Sequence, residues 1–348
     1  KPLSLHMLGM HGTAFANYAV DDCDFLIAAG ARFDDRVAGL PEKFAAGARH
    51  IAHLDIDISE INKVKAVDWH HVGMLQEALQ SLLDFGKKYG VAKDFSAWHK
   101  HIAELKDVYA LNYDRDSELI QPYYVIEQIN ELTRGEAIIA TGVGQHQMWA
   151  AQFYKFHKTR SYISSLGLGT MGFGLPAAIG AKVANPKTQV IDIDGDGSFL
   201  MNIQELACMK IEKINAKILI LNNQHLGMVV QWEDRFMGGK RAHTYLGPID
   251  HPEWLGEGAG DHYEDTYPNF VQIAAGFGVM AKQVRLKKDL PAAIAEMLAY
   301  DGPVIFDCLV EKHENCFPMI PSGKAHNEML LGDAAIKGAI DASGSVLV

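Results

Sequence analysis

The stretches VIDIDGDGS (190–198) and KILILNN (217–223) decide the fold of this 348-residue chain. Each begins as an apolar run that is typical of a buried parallel strand, and a helical segment from Asn202 to Glu212 lies between them. Two strands joined by a helix form a β-α-β unit, and open α/β sheets bind ligands beyond the carboxyl ends of such strands. The pattern therefore predicts a doubly wound parallel sheet with a ligand site after these two strands.

The residues at the two strand ends suit a magnesium ion that is bound together with a phosphate group. Asp196 and Asn223 offer hard oxygen ligands, whereas Gly195 and Gly197 allow the backbone to approach a phosphate closely. Magnesium takes few oxygen ligands from a protein and completes its octahedron with phosphate oxygens and water. We therefore predict a magnesium diphosphate site that includes Asp196 and Asn223.

Two simpler interpretations compete for the acidic stretch 192–197. Its DxDxDG spacing resembles the start of an EF-hand calcium loop, but Ile203 stands where that loop requires a glutamate. A plain turn of Asp and Gly would explain 194–197 alone. The Asn222-Asn223 pair, in which Asn223 follows Asp196 by 27 positions, favours the magnesium site over that turn.

The alternation of strands and helices continues along most of the chain. Before residue 89 the pattern predicts strands at 24–30 and 50–56 and an amphipathic helix at 75–88. From residue 122 onward the predicted strands are 137–141, 161–164, 190–193, 217–221, 280–284 and 304–309, and the predicted helices are 170–184, 202–212, 269–277 and 290–300.

These patterns divide the chain into a smaller and a larger α/β region. We expect the domains to be residues 1–88, a linker at 89–121, a main domain with a C-terminal arm at 122–333, and a tail at 334–348. The stretch 247–267, rich in Gly, Pro, Asp and His, is predicted to be a surface loop.

Composition places the chain among globular proteins. Hydrophobic residues make up 48% and charged residues 22%, so sizeable cores can form. The net charge of −11 argues against a nucleic-acid partner. No apolar run approaches the roughly 18 residues of a membrane span. The four cysteines are scattered without a C-x-x-C pair, which is typical of a reduced, intracellular protein.

Seven blocks of the sequence resemble one enzyme family, the large catalytic subunit of acetohydroxyacid synthase, also called acetolactate synthase. This family belongs to the thiamine diphosphate (ThDP) enzymes, and Gly195-Asp196-Gly197 with Asn222-Asn223 resembles their diphosphate motif. The blocks cover nearly the whole chain: MLGMHGTAFANYAV (7–20), RFDDRVAG (32–39), GVGQHQMWAAQ (142–152), LGLGTMGFGLPAAIGA (166–181), IDGDGSFLMNIQEL (193–206), LNNQHLGMVVQWEDRF (221–236) and MIPSGKAHNEM (319–329).

The resemblance implies a ThDP site in the larger domain. Met171 matches the apolar residue beneath the two rings of the bent cofactor, and the Gly169 carbonyl matches the acceptor for the aminopyrimidine. The ligands implied for Mg²⁺ are Asp196, Asn223 and the backbone carbonyl of His225. The residues implied to contact ThDP are Val143, Gly144, Gln145, His146, Gly195, Gly197, Ser198 and Gly227.

The resemblance also implies an FAD-binding central domain, of which residues 1–88 match only the later half. Flavin in this family is understood as structural, with no net redox role in the reaction. The chain is not expected to hold an intact FAD site. The residues implied to contact FAD are Met10, His11, Gly12, Gly30, Arg32, Asp34, Arg36, Val37, Asp55 and Ile56.

The implied activity is the decarboxylation of pyruvate on ThDP and its joining to pyruvate or 2-ketobutyrate, in branched-chain amino acid biosynthesis. Trp232 matches the residue that shapes the pocket for the second 2-keto acid, and Met228 and Val229 match residues of the same channel. Ser322 and Gly323 are expected on a C-terminal arm that folds toward it. The implied partners are further copies of the full-length chain, as a homodimer or tetramer, and a regulatory small subunit.

One element of the family's chemistry has no match in this sequence. In the family, the glutamate that protonates the aminopyrimidine lies in an N-terminal domain, which we expect to be absent here because the resemblance begins within the central domain. The first residues, Lys1-Pro2, are also expected to be an interior start. The isolated chain is therefore expected to be inactive, and a bacterial cytoplasmic location is favoured over a plastid. Two alternatives stay open: another ThDP enzyme, such as pyruvate oxidase or glyoxylate carboligase, and a non-catalytic ThDP-binding fragment.

Overall fold

The computed structural model describes residues 3–246 and 268–332. It divides into two compact units, of which the larger is Asp114–Cys316 and the smaller combines the residues up to Tyr113 with those from Phe317 onward. This division differs from the expected domains, since the arm after residue 316 joins the smaller unit and most of the expected linker does too. The predicted loop 247–267 and the tail 334–348 lie outside the described residues.

The smaller unit contains a parallel sheet whose described strands have the order β1-β2-β3. Thr13 and Asp34 begin two of its helices by accepting hydrogen bonds from backbone N–H groups. Phe33 packs edge-on against Phe44 in the core. In chain order the elements are α1 (Ala14–Asp22), β1 (Phe25–Ala29), α2 (Asp35–Ala38), β2 (His50–Asp55), β3 (Trp69–Val72), α3 (Leu75–Lys88) and α4 (Ser96–Val108).

The residues after 316 pack within this smaller unit. Ile320 N–H donates to the Met10 carbonyl at 2.8 Å, and Leu40 N–H donates to the Lys324 carbonyl at 3.1 Å. Ser322 and Gly323 lie between these two contacts. The expectation that they belong to an arm of the main domain is therefore corrected, because backbone hydrogen bonds fasten the segment to residues near the start of the chain.

The larger unit is a parallel sheet, and its described strands have the order β5-β4-β6-β7-β9-β8. The predicted doubly wound architecture is confirmed. In chain order the elements are α5 (Pro122–Thr133), β4 (Ile138–Thr141), α6 (Gln145–Phe153), β5 (Tyr162–Ile163), α7 (Gly174–Ala184), β6 (Val190–Gly195), α8 (Asp196–Leu200), α9 (Leu206–Ile211), β7 (Lys217–Asn222), α10 (Gly227–Phe236), α11 (Phe270–Gly276), β8 (Met280–Val284), α12 (Leu290–Ala299) and β9 (Val304–Leu309).

Helices cover both faces of this sheet, which explains why its central strands are apolar throughout. Ile218 and Ile220 of β7 share a core cluster with Leu175 of α7 and Phe270 of α11. The intervening Leu219 is also fully buried and points to the opposite face. None of the helices in the described ranges is both long enough and apolar enough to cross a membrane.

The strand order places a crevice between β4 and β6. The helix α6 leads from β4 to β5 on one side, whereas α8 and α9 lead from β6 to β7 on the other. Where neighbouring connections diverge in this way, the carboxyl ends of the strands leave an opening that open α/β sheets use for ligands. The residues after β4, β6 and β7 therefore lie close together beyond the carboxyl ends of these strands.

Two predicted helices have different bounds in the structure. The helix predicted at 170–184 begins only at Gly174, because Gly172 has a φ of 82° and donates its N–H to Ser198 Oγ. The helix predicted at 202–212 consists of a 3-10 turn at Ile203–Glu205 and the short α9. The helix α8 was not predicted, because its first residues have the composition of a turn.

His326 predicts a pH dependence of stability in the smaller unit. Its buried side chain lies 3.0 Å from the Val37 carbonyl and 3.4 Å from Asp21 Oδ1, and its ring contacts Phe44. Burial lowers the pKa of His326, but the Asp21 carboxylate and the backbone acceptors outweigh it and raise the pKa above the usual 6.5. The stabilisation is therefore complete below about pH 6.5 and is lost as the pH rises through the folded-state pKa.

We expect His326→Gln to destabilise the chain more at about pH 6 than at about pH 8.5, because the neutral side chain cannot pair with Asp21. Urea unfolding across that range measures the difference. His99→Gln is the control, since His99 is an exposed histidine of the same unit. A destabilisation that is constant with pH would contradict the ion pair.

Candidate cofactor site

A cleft opens at the carboxyl ends of β4, β6 and β7. Its walls come from the loop after β4, the start of α6, the start of α8 and the start of α10. It thus lies at the crevice that the strand order creates. The lining residues are Val143, Gly144, Gln145, His146, Trp149, Met171, Gly195, Asp196, Gly197, Ser198, Leu221, Asn223, His225, Leu226, Gly227, Met228 and Val229.

Asp196 presents a buried carboxylate to this cleft. Only 2% of the residue is exposed, and its Oδ1 accepts a hydrogen bond from Gly197 N–H at 2.8 Å. Its Oδ2 is buried and has no hydrogen-bond partner among the described residues. Burial, offset in part by backbone hydrogen bonds and reinforced by Asp307 and Asp194, raises the pKa of Asp196 to about 7. An unpartnered carboxylate oxygen in such a place suits a cation.

Asn223 and His225 follow β7 beside Asp196. The Asn223 amide nitrogen donates to Gln145 Oε1 at 3.3 Å, and its Oδ1 accepts from His225 N–H at 3.2 Å. Among the described residues no three His, Cys, Asp or Glu side chains form a metal cluster. One carboxylate, one amide and one backbone carbonyl nevertheless suit Mg²⁺, which takes its remaining ligands from phosphate and water. These residues fit a Mg²⁺ ion that is shared with a diphosphate.

Glycines make the floor of the cleft narrow. A methyl group on Gly195 would lie 2.6 Å from His146 Nδ1, and one on Gly227 would lie 2.1 Å from Gln145 Oε1. Both distances are far below van der Waals contact. These positions therefore require glycine if the polar side chains are to stay where they are. For Gly195 this reason differs from the predicted one, the close approach of a phosphate, which stays a prediction.

The beginning of α6 supplies further groups for an anion. Gln145 and His146 occupy its first turn, where backbone N–H groups point out of the helix and favour negative charge. His146 Nε2 lies 3.2 Å from Asp194 Oδ1, a buried carboxylate that the sequence had not assigned. Ser198 Oγ accepts from Val143 N–H at 3.3 Å and Gly172 N–H at 3.0 Å, so it joins the two loops around the cleft.

The structure places only some of the predicted catalytic residues at the cleft. Met171, Met228 and Val229 line the cleft together with the predicted ThDP contacts. Gly169 is exposed, with a φ of 73°, and is not among the lining residues. Trp232 is half-buried on α10, where its ring packs 4.9 Å from that of Phe236. It is also absent from the lining residues of the cleft.

The residues predicted to contact FAD gather at one end of the smaller unit's sheet. Met10 N–H donates to the Arg36 carbonyl at 2.7 Å, and Gly30 N–H donates to the Leu54 carbonyl at 2.8 Å. Gly30 thereby lies beside Asp55 at the carboxyl ends of β1 and β2. Whether FAD binds there stays a prediction, as does the role of each remaining residue: His11, Gly12, Arg32, Asp34, Val37 and Ile56.

Sequence reasoning missed several residues of the cleft. Trp149, Leu221 and Leu226 line it. Helical spacing could have found Trp149, which follows His146 by one turn of α6. The hydrogen bonds of the fully buried Gln231 to Cys316 and Gln145 gave no such signal, because these partners are distant in the sequence.

Two family models match this chain. The model described as "Thiamine pyrophosphate enzyme, C-terminal TPP binding domain" matches residues 142–308, which include Asp196 and Asn223. The model described as "Thiamine pyrophosphate enzyme, central domain" matches residues 1–82. Residues 142–308 are therefore similar to the cofactor-binding domain of thiamine pyrophosphate enzymes, and residues 1–82 to their central domain. Thiamine diphosphate is thus the cofactor for which the larger unit has the matching domain.

Individual relatives support the resemblance to acetolactate synthases. "Acetolactate synthase 1, chloroplastic" of Oryza sativa subsp. japonica is 54% identical over 332 residues, which are 95% of this chain and 50% of the relative. "Acetolactate synthase, chloroplastic" of Arabidopsis thaliana is 49% identical over 339 residues, 96% of this chain and 49% of the relative. The chain therefore spans about half the length of the curated relatives it matches.

These relatives settle two earlier expectations. The expected bacterial cytoplasmic location is wrong, because the matched relatives are plant proteins that are named as chloroplastic. The alternative of a pyruvate oxidase or glyoxylate carboligase is not favoured, since the relatives are named acetolactate synthases.

Asp196 predicts opposite effects on the free and the cofactor-bound protein. In the unfolded chain this carboxyl ionises near pH 3.8, but in the folded chain only near 7. Its contribution to stability is therefore lost as the pH rises from about 4 to about 7. We expect Asp196→Asn to raise the melting temperature of the metal-free chain at about pH 8 and to abolish the stabilisation by Mg²⁺ and ThDP.

Thermal melts with and without Mg²⁺ and ThDP measure both effects. Asp234→Asn is the control, because Asp234 is an exposed carboxylate of the same unit. Stabilisation by Mg²⁺ and ThDP that survives in Asp196→Asn would contradict the role of Asp196 as a metal ligand.

Proposed function

We propose that this chain is part of an acetolactate synthase catalytic subunit. The proposed reaction decarboxylates pyruvate and joins the two-carbon unit to pyruvate or 2-ketobutyrate, in the biosynthesis of valine, leucine and isoleucine. The observation that carries the proposal is the identity of about half of all positions, over 95% of the chain, with relatives named acetolactate synthase. The relatives' names also favour a plastid location.

The proposed cofactor complex is ThDP with Mg²⁺. Asp196, Asn223 and the His225 carbonyl would hold the metal, and the unpartnered Asp196 Oδ2 supports this assignment. Gln145, His146 and Ser198 would bind the diphosphate, with Val143, Gly144, Gly195, Gly197 and Gly227 allowing close approach of the backbone. When bound, ThDP supplies the carbanion chemistry that the decarboxylation of a 2-keto acid requires.

Apolar side chains at the mouth of the cleft have a separate role in this proposal. Met171 would support the bent cofactor from below, and the Gly169 carbonyl would accept a hydrogen bond from its aminopyrimidine. Leu226, Met228 and Val229 would exclude water around the reacting atoms, which strengthens electrostatic interactions there.

The smaller unit is proposed to contact FAD, and the complete protein to form oligomers. The Arg32 and Arg36 side chains are 57% and 64% exposed, so they are accessible to an anionic ligand such as the flavin pyrophosphate. A homodimer or tetramer and a regulatory small subunit follow from the resemblance alone.

The reaction is tested with the product of the complete reading frame that contains these residues. We expect it to form acetolactate from pyruvate in a reaction that requires both Mg²⁺ and ThDP. Acetate as the main product would indicate an oxidase instead, and tartronate semialdehyde from glyoxylate would indicate a carboligase of that kind. Absence of any ThDP-dependent product from pyruvate would contradict the proposal.

Trp232 is predicted to affect the choice of the second substrate. In the same gene product, Trp232→Leu should keep pyruvate decarboxylation but lower the preference for 2-ketobutyrate. The loss should be modest, because one methylene in an apolar pocket is worth about 1–3 kcal/mol. Competition between the two 2-keto acids gives the product ratio.

A control separates this role from simple packing. Phe236→Leu removes the ring that packs against Trp232 at 4.9 Å and leaves Trp232 itself in place. If both variants lose thermal stability and neither changes the product ratio, Trp232 is a packing residue and the pocket assignment is wrong.

A further inference from the structure

Gln231 is a fully buried amide on α10 whose orientation is fixed by backbone groups. Its Oε1 accepts a hydrogen bond from Cys316 N–H at 2.8 Å, and its Nε2 donates to the Cys316 carbonyl at 3.1 Å. A backbone N–H can only donate and a carbonyl can only accept. The oxygen and nitrogen of the Gln231 amide therefore cannot exchange places without the loss of both bonds.

The fixed orientation of the Gln231 amide in turn fixes the orientation of the Gln145 amide. Gln231 Oε1 also accepts from Gln145 Nε2 at 3.1 Å, and the same Nε2 donates to the Glu314 carbonyl at 3.0 Å. Both partners of Gln145 Nε2 are acceptors, so the amide of Gln145 can present only its oxygen on the other side.

The Gln145 amide in turn orients the Asn223 amide. Gln145 Oε1 accepts from Asn223 Nδ2 at 3.3 Å, which leaves Asn223 Oδ1 as the end of the amide that faces away. That oxygen accepts from His225 N–H and keeps a second lone pair for a metal ion. An asparagine turned the other way would present an NH₂ group, which cannot bind a cation.

We infer that Gln231 is a positioning residue for the metal site, acting through Gln145 to present the oxygen of Asn223. The inference rests on the proposed binding of Mg²⁺ with ThDP. The three residues form a relay of amides that begins at the backbone of Cys316 and ends at the metal ligand. Each hydrogen bond of the relay stabilises the fold, because a buried amide without a partner raises the free energy of the folded state.

The packing of α10 supports this arrangement. Gly227 lies one helical turn before Gln231, on the same face. A side chain at Gly227 would meet Gln145 Oε1 at 2.1 Å and Asn223 Nδ2 at 2.6 Å. Gly227 thus leaves room for the Gln145 amide, and Gln231 on the same face of α10 accepts a hydrogen bond from that amide.

The experiment measures ThDP binding to the full chain by calorimetry at a series of Mg²⁺ concentrations. Gln231→Met keeps the side-chain volume but can neither donate nor accept through an amide. We expect the Mg²⁺ concentration for half-maximal binding to rise about tenfold, because Gln145 Nε2 loses one of its two acceptors and then holds Asn223 less firmly. Saturating Mg²⁺ should restore most of the ThDP affinity, because the diphosphate contacts remain.

A matched control and a double variant separate positioning from packing. Gln189→Met makes the same change at a glutamine whose Nε2 donates to the Leu298 carbonyl. Gln189 directly precedes β6, so it lies at the amino ends of the strands, away from the cleft. We expect Gln189→Met to leave the Mg²⁺ dependence unchanged. The double variant Gln231→Met/Gln145→Met should need no more Mg²⁺ than Gln145→Met alone, because Gln231 acts only through Gln145.

The outcomes are distinct. An unchanged Mg²⁺ dependence in Gln231→Met, or additive losses in the double variant, would overturn the relay while the proposed function stands. If the unsubstituted chain does not bind ThDP with Mg²⁺, both fail. Should Gln231→Met not fold, Gln231→Glu keeps the length and the acceptor but loses the donor to Cys316. An Mg²⁺ dependence equal to that of the unsubstituted chain would then overturn the inference.

Discussion

The burial of the Asp196 carboxylate is the constraint on which the larger unit's site depends. A carboxylate with an unpartnered oxygen in the interior is unfavourable, and the pKa of about 7 expresses that cost. Below about pH 7 protonation relieves this cost, whereas above it a cation bound at this position would do so, at the expense of stability in the ligand-free protein. Parallel strands make this possible, since their carboxyl ends place the start of α8 next to the start of α6.

The neighbouring residues limit the negative charge around Asp196. Asp194 and Asp307 already raise its pKa, and a further carboxylate as a metal ligand would increase that repulsion. In the proposed magnesium site, Asn223 and the His225 backbone carbonyl would instead supply neutral oxygens. In the proposed site the negative charge that balances Mg²⁺ would come from the diphosphate, which would link the binding of the metal to that of the cofactor.

Sequence patterns located the sheet and the residues at the strand ends because both are local features. The apolar runs of β6 and β7 and the polar residues after them need no knowledge of distant contacts. The arm after residue 316 and the Gln231 relay could not be found in this way. His326 contacts Val37, which is 289 positions away in the sequence, and Gln231 contacts Cys316, which is 85 positions away. No periodic pattern in either segment predicts such a distant partner.

A neutral amide ligand needs an orientation that a carboxylate does not. The two oxygens of a carboxylate are equivalent, so Asp196 can present either one, whereas an amide has a metal-binding end and a repelling end. In the proposed site, Asn223 would limit the negative charge but would have to present its oxygen, and not its nitrogen, to the metal. Only groups that cannot themselves turn over can meet that need, and the backbones of His225, Glu314 and Cys316 supply such groups. The low charge of the site and its buried amides are thus consequences of the same burial of Asp196.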